Sequence, residues 1–237
     1  MHLRLTFLRA GLMMLALSAT PGFSQNDIPD APKQVNPSVN TPATPEKRKW
    51  TDVAEPEETQ PLSAGEKLMF PVNETLRLSS WFPTFFSAGW SHLRDSDPKY
   101  GSDSGAFGQR LGAAALRDLS MRTFADGVMP ALLREDPRYF RMRDGAIMHR
   151  SLYAASRVFV VRRDSGTNAF NTSGIFGRGM ASALTMAYYP DKSANASVVF
   201  TTWGFALFGN ACGNLWSEFW PDVRERHFFL RRSHDQP

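Results

Sequence analysis

The chain has 237 residues and carries 27 Lys and Arg against 23 Asp and Glu, a formal net charge of +4. So small an excess gives no dense basic surface, and nucleic acid is therefore excluded as the expected partner. The single cysteine, Cys212, excludes an intramolecular disulfide, and its apolar neighbours predict a buried thiol.

Residues 1–24 have the pattern of a secretory signal peptide. Arg4 and Arg9 form a charged start, an apolar run covers Ala10 to Ala19, and small residues precede a predicted cleavage after Ser24. The apolar run is shorter than the ~20 residues that span a bilayer. We therefore predict export, either to the periplasm or to an association with the outer membrane. An uncleaved N-terminal membrane anchor is the alternative.

Residues 25–61 have the composition of a disordered, proline-rich linker. They contain seven prolines, and their seven acids outnumber four bases. The few apolar side chains cannot offset the entropy cost of ordering this segment. A helical domain is expected over 62–232, followed by a short tail over 233–237.

The pattern of this domain predicts an all-α fold, a single bundle of about six helices. Ser63-Ala64-Gly65-Glu66 has the sequence of a capping box that opens the first helix. Pro83 is expected to kink or start the second helix, and an interruption is expected near Gly127 or Pro130. The further predicted helices cover about 76–93, 104–133, 146–161, 170–189 and 194–216.

Small residues at helical spacing predict close packing between helices, because a glycine lets two backbones approach each other. Glycine also weakens a helix by roughly 1 kcal/mol relative to alanine, so a compensating contact is expected. The glycines with this spacing are Gly105, Gly108, Gly112, Gly209 and Gly213.

The segment from Ser193 to Ser217 contains no charged residue. Its asparagines and threonines give it only moderate hydropathy, so the favoured interpretation is a helix buried at the centre of a bundle. Insertion into a membrane is the alternative, and the tryptophans and tyrosines near the predicted helix ends fit either one.

Eight arginines and four acids lie between Arg134 and Asp164. Guanidinium groups bind phosphate or carboxylate through paired hydrogen bonds, so an anionic envelope ligand is a coherent candidate. The alternative is that these residues form internal ion pairs that hold loops and cap helices. The candidate ligand-binding residues are Arg134, Asp136, Arg138, Tyr139, His149, Arg150, Arg157, Arg163 and Asp164.

No pattern in the sequence indicates catalysis. The histidines are scattered without the short spacings of a metal site, and no Gly-x-Ser-x-Gly elbow is present. We therefore expect no catalytic residue, no metal and no cofactor.

Several segments, taken in order, resemble an uncharacterised family of exported bacterial proteins with a signal peptide, a proline-rich leader and a helical domain. The segments are Arg134-Glu135-Asp136-Pro137-Arg138-Tyr139-Phe140, Tyr153-Ala154-Ala155-Ser156-Arg157, Arg163-Asp164-Ser165-Gly166 with Phe170-Asn171, Tyr188-Tyr189-Pro190 and Glu218-Phe219-Trp220-Pro221-Asp222. The resemblance covers about Leu62 to Phe229. It implies export and a helical fold, and it implies no activity, because none is known for the family.

The leading hypothesis is therefore a non-enzymatic protein of the cell envelope that associates with a membrane, with a protein partner or with itself as a homo-oligomer. One alternative is a periplasmic enzyme that acts on an anionic polymer in a cleft lined by Arg134, Arg138, Tyr139, His149 and Asp164. Another is a soluble module that binds an anionic ligand.

Overall fold

The computed structural model describes residues 53–54 and 60–234, with side chains as far as residue 224. The predicted signal peptide, most of the linker and most of the tail lie outside the described residues. The described chain forms an all-α bundle of six helices, as the sequence predicts. The helices are α1 (Ala64–Thr75), α2 (Phe82–Leu93), α3 (the consecutive segments Ser104–Met121, Arg122–Val128 and Met129–Leu133), α4 (Ile147–Ser156), α5 (Thr172–Leu184) and α6 (Ala196–His234).

The start of α1 confirms the predicted capping box. The Ser63 hydroxyl accepts a hydrogen bond from the Glu66 backbone N–H at 3.3 Å, and the Glu66 carboxylate accepts one from the Ser63 N–H at 2.7 Å. These two bonds satisfy amide groups that have no partner within the helix. A short 3-10 turn, Leu78–Trp81, joins α1 to α2, and Pro83 lies in the first turn of α2.

Helix α3 passes through the predicted interruption without breaking. Its central segment, Arg122–Val128, is π-helical, which accommodates a locally wider turn. Gly127 lies in this segment against α1, where a Cβ atom would be 2.7 Å from Cγ of Pro71. The helix ends at Arg134, whose backbone is left-handed at φ 56°.

Side-chain contacts show that α1 and α2 run antiparallel to α3. Thr84 donates to the Asp118 carboxylate at 2.6 Å, and Arg122 donates to the Ser80 carbonyl at 2.9 Å. Helix α5 packs beside α3, and α6 packs antiparallel to α5, where Trp203 donates to the Ile175 carbonyl at 2.9 Å. The bundle therefore has two ends: the loop end, formed by 94–103 and 188–195, and the arginine end, formed by 134–171.

Two short strand pairs cover the arginine end. Strand β1 (Val53–Ala54) pairs in parallel with β2 (Tyr139–Phe140), and β3 (Val160–Arg162) pairs antiparallel with β4 (Asn168–Phe170). Val53–Ala54 of the predicted linker forms β1, and its pairing with β2 satisfies backbone groups there.

The boundaries of two predicted helices also need correction. The helix predicted over 146–161 ends at Ser156, because the chain turns into β3. The helix predicted over 194–216 continues through Pro221 as far as His234.

Close packing through small residues is present, but at other glycines than those predicted. A Cβ atom at Gly177 of α5 would lie 2.6 Å from Cα of Ala125 in α3. At four of the predicted glycines a Cβ atom would meet nothing within 4 Å, and at Gly105 it would meet only the capping Asp103 side chain, 3.8 Å away. The prediction is wrong at these five positions because all of them lie on the outward faces of their helices; the four open ones are Gly108, Gly112, Gly209 and Gly213.

Matched substitutions test whether Gly177 is packed against α3 and Gly108 is not. We expect Gly177→Ala to destabilise the bundle by ~1–3 kcal/mol, because the new methyl group overlaps the α3 backbone. Gly108→Ala should instead stabilise the protein by up to ~1 kcal/mol, because it raises helix propensity without a new contact. Urea unfolding followed by circular dichroism measures both, and a similar loss of stability in the two variants would contradict the packing described.

Candidate functional site

The outward faces of the helices carry almost no charge. Among helical residues with described side chains, Arg224 is the only Asp, Glu, Lys or Arg that is exposed. Large apolar side chains occupy these faces instead, although water-soluble proteins place most such side chains inside. We call this surface the apolar belt, and its members are Leu68, Met69, Val72, Phe82, Phe85, Phe86, Trp90, Phe107, Leu116, Leu119, Phe200, Phe205, Phe208 and Trp216.

Among the described residues, nearly all of the exposed charged side chains lie at the two ends of the bundle instead. The loop end carries Arg94, Asp95, Asp97, Lys99, Asp103, Asp191 and Lys192, and the arginine end carries Arg134, Arg143, Asp144 and Arg163. The apolar belt therefore lies between two charged borders.

Helix α6 corrects two expectations about the uncharged segment. Phe205 is 71% exposed and Phe208 is 67% exposed, so this helix is not the buried centre of the bundle. Cys212 lies on the same outward face and is exposed, not buried as predicted. The inward face carries polar groups such as Asn214, which donates to the Ala154 carbonyl at 3.2 Å.

Within the described part of the chain, we find no helix that combines the length and the apolar character that crossing a membrane requires.

The charged side chains of the belt helices point inward, where they are paired. Lys67 of α1, 1% exposed, binds the Asp164 carboxylate at 2.6 and 2.7 Å. Arg178 of α5 pairs with Asp126 of α3 at 3.1 Å. Burial of an ion is costly unless a partner and hydrogen bonds compensate for the lost water, and these pairs provide that compensation.

Arg110 of α3 secures the loop end. Its guanidinium donates to the carbonyls of Ser96 and Pro98 at 2.6 Å each, to the Gly101 carbonyl at 2.9 Å and to the Asp95 carboxylate at 2.8 Å. One buried arginine thereby holds three backbone carbonyls of the loop that joins α2 to α3.

Glu218 of α6 is the corresponding centre of the arginine end. It is 0% exposed, and its carboxylate accepts hydrogen bonds from the Tyr139 hydroxyl at 2.9 Å, the Arg150 Nε at 2.8 Å and the backbone N–H groups of Met142 and Arg143 at 3.0 and 3.1 Å. Burial, and then the negative charge of Glu218, raise the pKa of Tyr139, so its hydroxyl remains a neutral donor.

Asp222, one helical turn beyond Glu218, completes this cluster. It accepts hydrogen bonds from Arg141 at 2.9 Å and from Arg150 at 2.7 Å. Burial acts to raise the pKa of Asp222, but the bonds and charges of Arg150 and Arg141 outweigh it and hold that pKa below its ordinary value. These contacts fix α4 and the β2 segment to α6.

A polar cavity of about 60 Å³ lies behind this cluster, between α3, α5, α6 and the strand segments. Arg138 on its wall pairs with Asp136 at 2.8 Å, and both side chains are 3% exposed. The N-terminus of α5 faces the same space through Ser173 and Gly174. The other polar lining residues are Asp126, Tyr139, Arg157, Arg162, Asn171, Arg178, Asn210 and Asn214.

The structure separates the predicted ligand-binding residues into three groups. The cavity brings together Asp136, Arg138, Tyr139 and Arg157. Arg150 belongs to the Glu218 cluster and Asp164 pairs with Lys67.

The other three residues, Arg134, His149 and Arg163, are exposed and do not line the cavity. The cleft required by the enzyme alternative, with His149 beside an acid, is not formed by these residues.

Sequence reasoning missed the acids that organise the arginine end. Glu218 and Asp222 lie 68 and 72 residues from Arg150, so local spacing gave no sign of the pairs. Their own separation of four residues places both on one face of α6, and this was the available signal. Lys67 was missed for the same reason, since its partner Asp164 lies 97 residues away.

Among the described residues, no group of three or more His, Cys, Asp or Glu side chains is placed to hold a metal ion. Comparison of this chain with protein-family models, with curated proteins and with solved structures finds no match. The resemblance to exported bacterial proteins therefore stays a prediction.

The Glu218 cluster predicts a large effect from a small substitution. Glu218→Gln replaces an oxygen acceptor by an NH2 group that faces donors, so we expect a loss of ~3–5 kcal/mol in unfolding free energy. Asp222→Asn is the matched control, and since Asp222 is 39% exposed its loss should stay below ~1 kcal/mol. Urea unfolding measures both, and a Glu218→Gln protein as stable as the parent would overturn this account of the cluster.

Proposed function

We propose that this chain is an exported, non-enzymatic protein of the cell envelope that associates with a lipid membrane, with its apolar belt against the acyl chains. One observation carries this proposal: large apolar side chains cover the outward faces of the helices, while almost all of their charged side chains lie inside. The signal peptide expected over residues 1–24 supports export. The association does not require a helix that crosses the bilayer.

The energetics favour an apolar environment for the belt. Removal of one large apolar side chain from water stabilises a protein by about 1.5–3 kcal/mol when burial is complete. The belt contains fourteen such side chains, each 37% exposed or more. Exposed apolar surfaces of this kind mark contact with a membrane or a protein.

The pairing of charged side chains inside the bundle also agrees with contact between the apolar belt and lipid. Ionisable groups of membrane-embedded helices face the bundle interior and pair with one another or with carbonyls. Arg110 follows this rule through its three carbonyl partners, and Arg178 follows it through Asp126.

The distribution of the belt favours lipid over a second copy of the chain. A symmetric dimer uses one self-complementary patch. The belt instead extends over α2 and α6, which are separated by α3 and α5. A fluid acyl phase contacts several faces at once, whereas one partner surface covers one of them.

Tryptophans lie near both borders of the belt, where aromatic side chains are enriched at membrane–water interfaces. At the loop end, the Arg94 guanidinium lies 4.4 Å from the ring centre of Trp90. Towards the arginine end, Trp216 and Trp220 are stacked with ring centres 4.7 Å apart.

Flotation of the full-length protein with neutral phosphatidylcholine vesicles tests this function. We expect the protein to float with the vesicles and to remain bound in high salt, because apolar contacts are insensitive to ionic screening. The double variant Phe205→Glu, Phe208→Glu should bind at least about tenfold more weakly, because two charges then face the acyl chains.

A matched control adds the same two charges outside the belt, as Ser102→Glu with Thr167→Glu at exposed positions of the two ends. This control should float like the parent, and circular dichroism verifies that both variants are folded. Release of the parent by salt, or equal binding by both double variants, would contradict the proposed lipid contact. A parent that stays in solution as a dimer joined through Cys212 would assign the belt to a second copy instead.

A further inference from the structure

More arginines than aspartates line the cavity at the arginine end. Four arginines and two aspartates line it. Two of the arginines form ion pairs there, Arg138 with Asp136 and Arg178 with Asp126. The lining acids are therefore paired with Arg138 and Arg178, and neither of them pairs with Arg157.

Arg157 is the most unusual of these residues. It is 7% exposed, and its side-chain hydrogen bond goes to the neutral Asn168 amide oxygen at 3.2 Å. Its guanidinium also lies 5.5 Å from the ring centre of Tyr153, and no carboxylate among the described residues pairs with it. Burial lowers the pKa of Arg157, and the nearby positive charge of Arg162 lowers it further. A buried cation in this position is stabilised by an anion.

The remaining wall supplies donors suited to an oxyanion. Asn210 and Asn214 of α6 carry side-chain amides. The first N–H groups of α5 are already bonded, Ser173 to the Glu135 carboxylate at 3.0 Å and Gly174 to the Asn171 side chain at 2.7 Å. The side-chain amides of α6 are therefore the donors that remain on this wall. A space of about 60 Å³ holds a few water molecules or one small oxyanion.

We propose that this cavity binds a phosphate-class oxyanion, with Arg157 as the principal ligand and the side-chain amides of Asn210 and Asn214 beside it. Guanidinium groups bind phosphate through two parallel hydrogen bonds, which a buried arginine with unpaired N–H groups can provide. The phosphate can belong to the free ion or to a lipid headgroup. This site does not depend on the membrane association proposed above.

Equilibrium dialysis of the full-length protein in a neutral detergent, against radiolabelled inorganic phosphate, tests the site. We expect saturable binding that sodium chloride at the same ionic strength does not displace. Arg157→Gln should weaken binding at least about tenfold, because it removes a charged, bidentate donor. Arg163→Gln is the matched control, since Arg163 is exposed and lies outside the cavity, and its binding should equal that of the parent.

A second experiment distinguishes the two sources of phosphate. It also uses a more conservative variant, in case Arg157→Gln does not fold. Short-chain phosphatidic acid is titrated beside a glycolipid without phosphate, and Arg157→Lys keeps the charge but not the paired donors. The site is supported if inorganic phosphate or phosphatidic acid binds the parent and Arg163→Gln but binds Arg157→Lys more weakly. The carrier that behaves in this way identifies the source of the phosphate. Absence of specific binding of both carriers by the parent would overturn the proposal.

Discussion

The fold depends on the pairing of charges that lie inside a helical bundle. Among the described residues, ten charged side chains are buried, and water does not compensate for their charge. Most of them bond to other parts of the chain instead, and these bonds fix how the helices pack. The buried charged residues are Lys67, Arg110, Glu135, Asp136, Arg138, Arg141, Arg150, Arg157, Arg162 and Glu218.

Two of these residues organise the two ends of the bundle. Glu218 joins α6 to α4 and to the β2 segment. Arg110, which lies in α3, binds the loop that joins α2 to α3. A core of aliphatic side chains tolerates sliding of one helix along another better than a core of directed hydrogen bonds, because hydrogen bonds weaken steeply with misalignment. The inward charges therefore give the bundle a defined register, and they leave the apolar side chains to the outward faces. The apolar belt and the buried ion pairs therefore both follow from the inward direction of the charged side chains.

The sequence predicted the helices well and their orientation poorly. Ser63 with Glu66 marked the first helix, and Pro83 marked the second, because capping and proline geometry are local. The inward face of α6 could not be predicted in the same way, because large apolar side chains such as Phe205 and Phe208 lie on its outward face. The spacing of Gly209 and Gly213 predicts a packed interface, but both face outward, while the close contact at Gly177 carries no distinctive spacing.

The candidate site was predicted in part. The arginine-rich segment does contribute Arg138 and Arg157 to the cavity, because a dense run of arginines around two short strands converges on one end of the bundle. The acids that organise that end come from the far end of the chain, so their role emerges only from the fold. His149, which looked like a candidate for chemistry, follows the outward turn of α4 and lies away from the cavity.

The natural single cysteine allows the central claim to be measured without a substitution. Cys212 lies on the outward face of α6, within the apolar belt, and a fluorescent label attached there reports its surroundings in vesicles. Lipid contact predicts strong quenching by brominated acyl chains and weak quenching by aqueous iodide. Strong quenching by iodide together with no effect of the brominated lipid would place the belt in water and contradict the account.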